Sequence, residues 1–348
     1  MTASGNAGTL RGVAALVRAG LVAAERAEAL EAVAARYAVA VPPALAALID
    51  PAAADDPIGR QILPDEAELH LAAHERADPI GDAAHTPLPG IVHRYPDRVL
   101  LTPSFACAVY CRFCFRRERV GGAEALGAEI LGPAALAAAL AYIRERPEIR
   151  EVILTGGDPL MLAPRRLGEI VAALDAMPHL EVIRIHSRVP VAAPERVSRE
   201  LLAALTTDTA LFLAVHANHP REFSPAARTA LRRLNAAGVA LLGQSVLLAG
   251  VNDEAATLEA LMRGFLANRV KPYYLHQLDA APGTARFRVP LERGQALMRG
   301  LLGRLSGLGQ PSYVLDIPDG YGKSPVGPGY LAADGREIAD WRGGRHRL

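Results

Sequence analysis

The sequence predicts an α/β protein whose parallel sheet forms a partial, TIM-like (β/α)6 barrel, and three observations lead to this prediction. From residue 98 onward, apolar strand-like runs alternate with helical stretches over six consecutive units. The connections between these units are short, as in parallel sheets covered by helices. A cysteine-rich loop directly follows the first strand. This position favours a barrel, with its site at the carboxyl ends of the strands, over an open doubly wound sheet.

The individual elements follow from hydrophobic periodicity. The predicted strands are Val99–Thr102, Glu151–Thr155, Glu181–His186, Ala210–His216, Ala240–Val246 and Pro272–His276. The predicted helices between them are Gly132–Arg146, Arg165–Ala176, Ser198–Leu205, Pro225–Ala237 and Ala255–Ala267. With 348 residues, 51% of them hydrophobic, the chain is long enough to fill the core of one large barrel.

The residues before the barrel are expected to form two further segments. Apolar residues recur at helical spacing at Val13, Leu16, Val17, Leu21, Leu30 and Val33, and they predict two amphipathic helices. Pro42 and Pro43 end this pattern. We therefore expect a helical N-terminal segment (1–50), a wrapping segment of loops and short helices (51–97), the barrel (98–300) and a C-terminal segment (301–348).

Composition excludes several classes of function. The net charge of +1 gives no electrostatic basis for binding nucleic acid or an anionic membrane. The sequence has no secretion signal, and no apolar run approaches the ~20 residues that span a bilayer. Three closely spaced cysteines do not resemble a secreted disulfide framework. We therefore expect a cytoplasmic protein.

All three cysteines of the chain lie within eight residues, at Cys107, Cys111 and Cys114. A cubane iron–sulfur cluster normally takes four thiolates. Three would leave one iron open to bind and reduce a small molecule. The alternatives are zinc, which usually requires four ligands in a structural site, and inert buried thiols. Nearby arginines are expected to lower the thiol pKa values and favour thiolates; they are Arg112, Arg116 and Arg117.

Three further motifs carry candidate chemistry. Gly156, Gly157 and Asp158 end the second strand, where glycines allow a close approach to a ligand; an ordinary turn is the alternative. Lys323, one of only two lysines, lies in a glycine-containing loop and suits Schiff-base chemistry with an aldehyde cofactor. A solvated surface lysine is the alternative. Just before the first strand, three side chains suit a bound phosphate or an ordinary turn, namely Arg94, Tyr95 and Arg98.

Taken together, these motifs resemble the lysine 2,3-aminomutase family, radical enzymes that depend on S-adenosylmethionine (SAM) and pyridoxal phosphate (PLP). The resemblance runs from about residue 55 to residue 330. It is carried by residues 55–58, 89–98, 111–114, 156–160, 184–188, 218–220, 244–248, 250–253, 272–276 and 316–325.

The resemblance implies a role for each matched residue. Cys107, Cys111 and Cys114 would bind three irons of a [4Fe-4S] cluster whose fourth iron takes SAM. Residues lying against SAM would be Gly156, Gly157, Asp158, Arg188, His216 and Gln244. Lys323 would bind PLP covalently, and Arg94, Tyr95 and Arg98 would hold its phosphate. Arg116 would pair with the substrate carboxylate, and Asp279 and Asp316 would flank its far amine.

Two acids around that amine favour lysine over glutamate, because paired carboxylates in a closed pocket need a cation. The implied reaction is the interconversion of L-α-lysine and β-lysine by a 2,3-amino shift. Phe115 and the run at 274–279 resemble the branch that supplies (R)-β-lysine for elongation factor P. Asp319 and Tyr321 interrupt the glycine run usual in the lysine loop. A homo-oligomer and a reductant such as flavodoxin or ferredoxin are also expected.

Three alternatives remain open from the sequence. One is an aminomutase for another amino acid, in which Asp279 and Asp316 have different roles. Another is a radical SAM enzyme that has lost PLP. The last is a non-catalytic metal-binding protein, which would leave Lys323 without a chemical role.

Overall fold

The computed structural model describes residues 8–121, 130–340 and 342–348. Its strands are β1 (Leu10–Arg11), β2 (Ala40–Val41), β3 (Ile91–Tyr95), β4 (Arg98–Ser104), β5 (Glu151–Gly156), β6 (Val182–Ser187), β7 (Ala210–His216), β8 (Ala240–Val246), β9 (Lys271–His276), β10 (Ser312–Ile317), β11 (Gly322–Pro325), β12 (Glu337–Ala339) and β13 (Arg345–Arg347). Its α-helices are α1 (Val13–Arg18), α2 (Ala27–Arg36), α3 (Pro43–Ala46), α4 (Pro57–Ile62), α5 (Pro133–Arg144), α6 (Pro164–Asp175), α7 (Val189–Ala192), α8 (Arg199–Ala204), α9 (Pro225–Ala236), α10 (Ala255–Ala267) and α11 (Leu291–Leu302).

Strands β3 to β11 form one nine-stranded sheet in which neighbours in space are also neighbours in sequence. Strands β4 to β10 are parallel. The two edge strands, β3 and β11, are antiparallel to their neighbours. Each parallel connection includes a helix that packs against the outside of the sheet, as a βαβ crossover requires.

The sheet curves until its two edges meet. The backbone N–H of Lys323 on β11 donates to the hydroxyl of Tyr95 on β3, at 2.7 Å. These residues belong to opposite edges of the strand order, so a flat sheet would keep them far apart. The contact therefore closes the barrel at one point and brings the lysine loop against the residues that precede β4.

Strand periodicity determines which side chains face the enclosed space. On β6, Ile183 and Ile185 are fully buried in the main hydrophobic core beneath the helices. Arg184 and His186 alternate with them and therefore point to the opposite face of the sheet, inside the barrel. Polar side chains on this inner face are what a barrel that encloses a polar ligand requires.

The predicted partial barrel is confirmed, with two additions. All six predicted strands form, as β4 to β9, within one or two residues of their expected bounds. The run at 312–315, predicted only as a short β-like stretch, becomes the seventh parallel strand, β10. Strand β3 lies in the wrapping segment, where only loops and short helices were expected. The division into four segments stays a prediction.

The N-terminal segment is helical as predicted, with α1 and α2 joined to a two-residue ladder of β1 and β2. Leu16, Leu30 and Val33 are fully buried, which confirms the apolar faces read from their spacing. Among the described residues, no helix combines the length and apolarity needed to cross a bilayer.

Candidate active site

Most of the predicted site residues lie at one end of the barrel, where the parallel strands end. The cysteine loop follows β4, Asp158 follows β5 and Arg188 follows β6. His216 ends β7, His276 ends β9, and Asp316 lies near the end of β10. Because all these strands run the same way, their carboxyl ends place residues from distant parts of the sequence around one opening.

The three cysteines converge on one cavity, which is lined by all three thiols together with residues of the N-terminal segment. The Arg188 guanidinium donates to the Cys111 sulfur at 2.8 Å. Within the described ranges, no set of three or more His, Cys, Asp and Glu side chains is arranged around a single metal ion. A cubane cluster differs from such a site, because each thiolate binds its own iron.

Arg116 and Arg117 lower the pKa of the Cys114 thiol as expected, but burial outweighs them, so the expected thiolates are not favoured. Burial raises the pKa of Cys107 well above its usual value, and it raises the pKa of Cys114 to about 11. The arginine charges are already compensated by buried carboxylates: Glu68 pairs with Arg112 and Arg117, and Asp82 pairs with Arg116. Iron must therefore displace the thiol protons, as coordination commonly does.

The Gly-Gly-Asp segment packs directly against the start of the cysteine loop. The N–H of Gly157 donates to Ser104 at 2.7 Å, and the N–H of Asp158 donates to Ala106 at 2.9 Å. A Cβ on Gly157 would lie 2.4 Å from the Ala106 carbonyl oxygen, so only glycine fits here. Gly156 adopts a φ of +104°, which also favours glycine. The glycines thus bring β5 against the cysteine loop.

Asp158 organises the turn that follows β6. Its buried carboxylate accepts hydrogen bonds from the Ser187 hydroxyl at 2.8 Å and from the backbone N–H of Arg188 at 2.8 Å. It also caps the short helix after β5 by accepting from the N–H of Leu160 at 3.0 Å. Asp158 therefore fixes the backbone from which Arg188 reaches Cys111.

The other candidates for SAM lie beside the cysteine loop. The His216 ring lies 5.6 Å from the ring of Phe113, which sits between Cys111 and Cys114. Gln244 on β8 is the register partner of His216 on β7. The side chain of Arg188 also donates to Gln61 at 2.7 Å and to Glu222 at 2.9 Å, which holds it in one orientation.

Lys323 is not the solvated surface lysine that was the alternative. Its side chain is 24% exposed, and its amine is paired with the carboxylate of Asp316. The amine also lies 3.4 Å from Nδ1 of His276. Burial alone would raise the pKa of Asp316, but His276 and Lys323 hold it well below its usual range. An amine, a carboxylate and an imidazole therefore meet at this end of the barrel.

Asp279 is the second acid predicted at the substrate amine. Burial, reinforced by the nearby carboxylate of Asp316, raises the pKa of Asp279 to about 7. Lys323 and Arg116 act in the opposite direction. The structure thus brings both acids to the lysine loop, with Asp316 charged and Asp279 balanced between its two protonation states near neutrality; their role at a substrate amine stays a prediction.

The predicted phosphate-binding residues are divided. The Tyr95 hydroxyl contacts the backbone of Lys323, while the Arg98 guanidinium stacks 3.7 Å above the Tyr95 ring. Arg94 instead donates to the Ile80 carbonyl at 2.7 Å and to Asp82 at 3.0 Å. Tyr95 and Arg98 therefore lie at the lysine loop, where Arg98 also pairs with Asp97 at 2.6 Å, whereas Arg94 is held by Asp82.

Asp82 is a site residue that the sequence did not reveal. It accepts from both Arg94 and Arg116, the latter through Nη2 at 2.7 Å. The preceding glycine, Gly81, touches the lysine loop: a Cβ there would lie 2.4 Å from the backbone N of Gly320. Asp82 stands in a Pro- and Asp-rich stretch that has no motif, so no local pattern could have singled it out.

Two partly buried histidines were also missed as site residues. His276 contacts Lys323, and its position at the end of a strand within the run at 274–279 was the available signal. His186 lies inside the barrel, and its Nε2 atom has no hydrogen-bond partner among the described residues. Burial holds the pKa of each below its usual value. Both imidazoles are therefore neutral.

The lysine loop keeps its shape despite the two residues that interrupt its glycines. Asp319 adopts a left-handed conformation, with φ +62°, which aspartate tolerates better than most residues. Its carboxylate pairs with Arg76 of the wrapping segment. Tyr321 is 79% exposed and points away from the barrel. Neither substitution displaces Lys323 from Asp316.

The residues fit the cofactors that the family implies. Three thiols around one cavity suit three irons of a [4Fe-4S] cluster. Near the lysine loop, a paired amine and a buried imidazole nitrogen without a partner suit an aldehyde cofactor with polar substituents. Arg188 and His216 contact the cysteine loop, and Gln244 is the register partner of His216, so SAM would lie against them beside the cluster.

Comparison with known proteins identifies the family. The Radical SAM superfamily matches residues 101–261. The chain is 40% identical to the L-lysine 2,3-aminomutase of Acetoanaerobium sticklandii over 84% of this chain and 70% of that protein. It is 37% identical to the L-lysine 2,3-aminomutase of Escherichia coli over 83% of each. It is 34% identical to the glutamate 2,3-aminomutase of Clostridioides difficile, over 91% of this chain and 74% of that one.

These similarities cover 83% to 91% of this chain, so they extend well beyond the cysteine motif. The relatives are isomerases, and their chemistry requires a [4Fe-4S] cluster, SAM and PLP. The chain therefore belongs to the lysine 2,3-aminomutase family of radical SAM enzymes.

Proposed function

We propose that this enzyme interconverts L-lysine and β-lysine by moving the amino group between carbons 2 and 3. The observation that carries the proposal is the pair of partly buried acids, Asp279 and Asp316, beside Lys323. Two carboxylates in one pocket favour a ligand with a cationic group. The ε-ammonium of lysine supplies that group, whereas the side-chain carboxylate of glutamate would be repelled.

The protein's own groups suggest how the substrate is held. Lys323 provides the amine to which PLP attaches, and its ion pair with Asp316 keeps that amine in place. Tyr95 and Arg98 would contact the phosphate of PLP, and Arg94 would join them by turning from Asp82. Arg116, oriented by Asp82, would take the substrate carboxylate. When bound, the cluster and SAM supply the radical, and PLP stabilises it.

Formation of β-lysine under anaerobic conditions tests the proposal. The protein is reconstituted with iron, sulfide and PLP, then given SAM, dithionite and either L-lysine or L-glutamate. We expect β-lysine and no β-glutamate by mass spectrometry. Deoxyadenosine without β-lysine would reject lysine as the substrate, and β-glutamate would assign the enzyme to the other specificity.

Replacing Asp279 by asparagine tests the acid pair. Loss of one partner of a buried charge pair costs about 2 kcal/mol or more, so KM for lysine should rise on the order of thirtyfold. The matched control is Asp319→Asn, which makes the same change at an exposed position of the lysine loop. Unchanged KM in Asp279→Asn would remove the acid pair from substrate recognition.

The pH dependence of lysine binding should report Asp279 directly. Its pKa of about 7 means that it is mostly protonated, and neutral, at lower pH. Only the charged form attracts an ammonium group, so affinity is lost as pH falls through 7. We expect kcat/KM of the wild type for lysine to rise between about pH 6 and pH 8 by about ten times more than that of Asp279→Asn, which has no carboxyl group to titrate at this position. Parallel profiles for the two enzymes would contradict this assignment.

We also propose that the product is (R)-β-lysine for modification of elongation factor P. Phe115 and the Tyr-Leu-His-Gln-Leu-Asp run at 274–279 support this branch. Chiral chromatography of the product tests it, because the S enantiomer would rule the branch out. A one-electron donor such as flavodoxin or ferredoxin, a homo-oligomeric assembly and a reducing cytoplasm complete the proposal.

A further inference from the structure

The N-terminal segment, residues 8–50, encloses part of the cavity that contains the cysteines. Tyr37 and Ala38 line this cavity together with Cys107, Cys111 and Cys114. These two residues come directly after helix α2 and before strand β2. No role in the chemistry requires them, yet they line the cavity in which the predicted cluster would lie. The cavity is therefore built from two parts of the chain that are about 70 residues apart.

Backbone groups of this segment hold the cysteine loop in place. The carbonyl of Ala38 accepts a hydrogen bond from Nη1 of Arg112 at 2.9 Å. The carbonyl of Ala40 accepts from the backbone N–H of Tyr110 at 3.4 Å. Tyr110 and Arg112 flank Cys111 on either side. Because Ala40 is itself fixed by its pairing with Arg11 on β1, the segment offers the loop a rigid support.

Tyr37 makes the most specific contact. The guanidinium of Arg117 lies 3.6 Å from the centre of its ring, which is close for a cation–π interaction. Arg117 in turn donates to the carbonyl of Arg112 at 2.9 Å, inside the cysteine loop. The Tyr37 hydroxyl donates to Glu118 at 3.1 Å. Tyr37 and the buried carboxylate of Glu68 together orient Arg117, and Arg117 fixes the loop through the carbonyl of Arg112.

The ring of Tyr37 also separates the cavity from solvent. Tyr37 is only 3% exposed, whereas the side chains of its neighbours Arg36 and Glu118 are 39% and 30% exposed. The surface therefore lies immediately above the ring. Apolar residues continue this barrier: Val109 of the cysteine loop packs in one cluster with Leu16, Val39, Val41, Leu45 and Ile49 of the N-terminal segment.

We infer that the N-terminal segment is the outer wall of the iron–sulfur site, and that Tyr37 is a positioning residue for the cluster-binding loop. The wall holds the three thiols at the spacing that three irons require and keeps water and oxygen from the cluster. Residues that orient metal ligands commonly change metal affinity by about 10- to 100-fold when they are replaced. The inference depends on the cluster and not on the identity of the substrate.

The test compares cluster stability in three variants at Tyr37. Each protein is reconstituted anaerobically without lysine, and the iron–thiolate absorbance is then followed after addition of air or of a chelator. We expect Tyr37→Ala to bleach roughly tenfold faster than the wild type. Tyr37→Phe keeps the ring and should stay within about twofold, which separates the ring from the hydroxyl.

A matched control and a second variant keep the test decisive. Tyr142→Ala removes a similar cation–π pair, because the Arg146 guanidinium lies 3.5 Å from the centre of the Tyr142 ring. Tyr142 belongs to α5 and does not line the cysteine cavity. It should bleach at the wild-type rate. If Tyr37→Ala fails to fold, as judged by PLP binding, Tyr37→Leu carries the test and should bleach about threefold faster.

Wild-type bleaching rates in folded Tyr37→Ala or Tyr37→Leu would overturn the inference, and so would equally fast bleaching in Tyr142→Ala. Because lysine is absent from the assay, the result is independent of the proposed function. A protein that fails to make β-lysine but bleaches as expected would reject lysine as substrate and leave the role of the wall supported.

Discussion

Lys323→Ala should abolish PLP attachment and reduce aminomutase activity by on the order of a thousandfold or more. The structure gives this residue a unique position: its amine is paired with Asp316 and lies 3.4 Å from His276, at the carboxyl end of the barrel. No other side chain in the described part of the chain can replace an amine there. The absorbance of bound PLP and the rate of β-lysine formation measure the two effects.

The other lysine of the chain provides a matched control. Lys271 lies at the amino end of β9, where its amine donates to the carbonyls of Pro272 and Gln310. Lys271→Ala should keep PLP and activity. Borohydride reduction of the wild-type complex, followed by peptide mass mapping, should find the pyridoxyl label on Lys323. A label on Lys271, or full activity in Lys323→Ala, would contradict the assignment.

Cys111→Ala should lose the iron–sulfur cluster and, with it, reductive cleavage of SAM. Cys111 is the cysteine that receives the hydrogen bond from Arg188, so its loss also leaves a buried arginine donor unpaired. With only two thiolates remaining, iron content should fall and deoxyadenosine formation should drop by on the order of a thousandfold. Iron analysis, electron paramagnetic resonance after reduction and deoxyadenosine quantification measure these changes.

The two variants should fail in opposite ways. Cys111→Ala should still bind PLP at the wild-type level. Lys323 lies on β11 and its backbone contacts Tyr95 on β3, so no residue of the cysteine loop takes part in this contact. Lys323→Ala should still assemble the cluster in its cavity. Loss of both cofactors in either variant would indicate general unfolding, and it would remove that variant as a test of the chemistry.

Local sequence was sufficient for the features that depend on neighbouring residues. The strand bounds followed from periodicity because buried faces repeat every second residue, as Ile183 and Ile185 do. The cysteine motif was readable because its three ligands come from one loop. The same reasoning foresaw that arginines lower the pKa of the Cys114 thiol, but it missed the larger, opposite effect of burial. The carboxylates that neutralise the nearby arginines, Glu68 and Asp82, come from another segment.

The sequence by itself determined the barrel and its cysteine loop, and it predicted Lys323 as the reactive lysine. Only the tertiary structure decided which groups meet that lysine. Tyr95 and Lys323 are 228 residues apart and touch only because the sheet curves until its edge strands meet. Asp82 captures Arg94 and Arg116, and Tyr37 covers the cysteine cavity, through the same long-range packing. No local spacing encodes these contacts, because they depend on how the whole chain buries its apolar surface and closes its sheet.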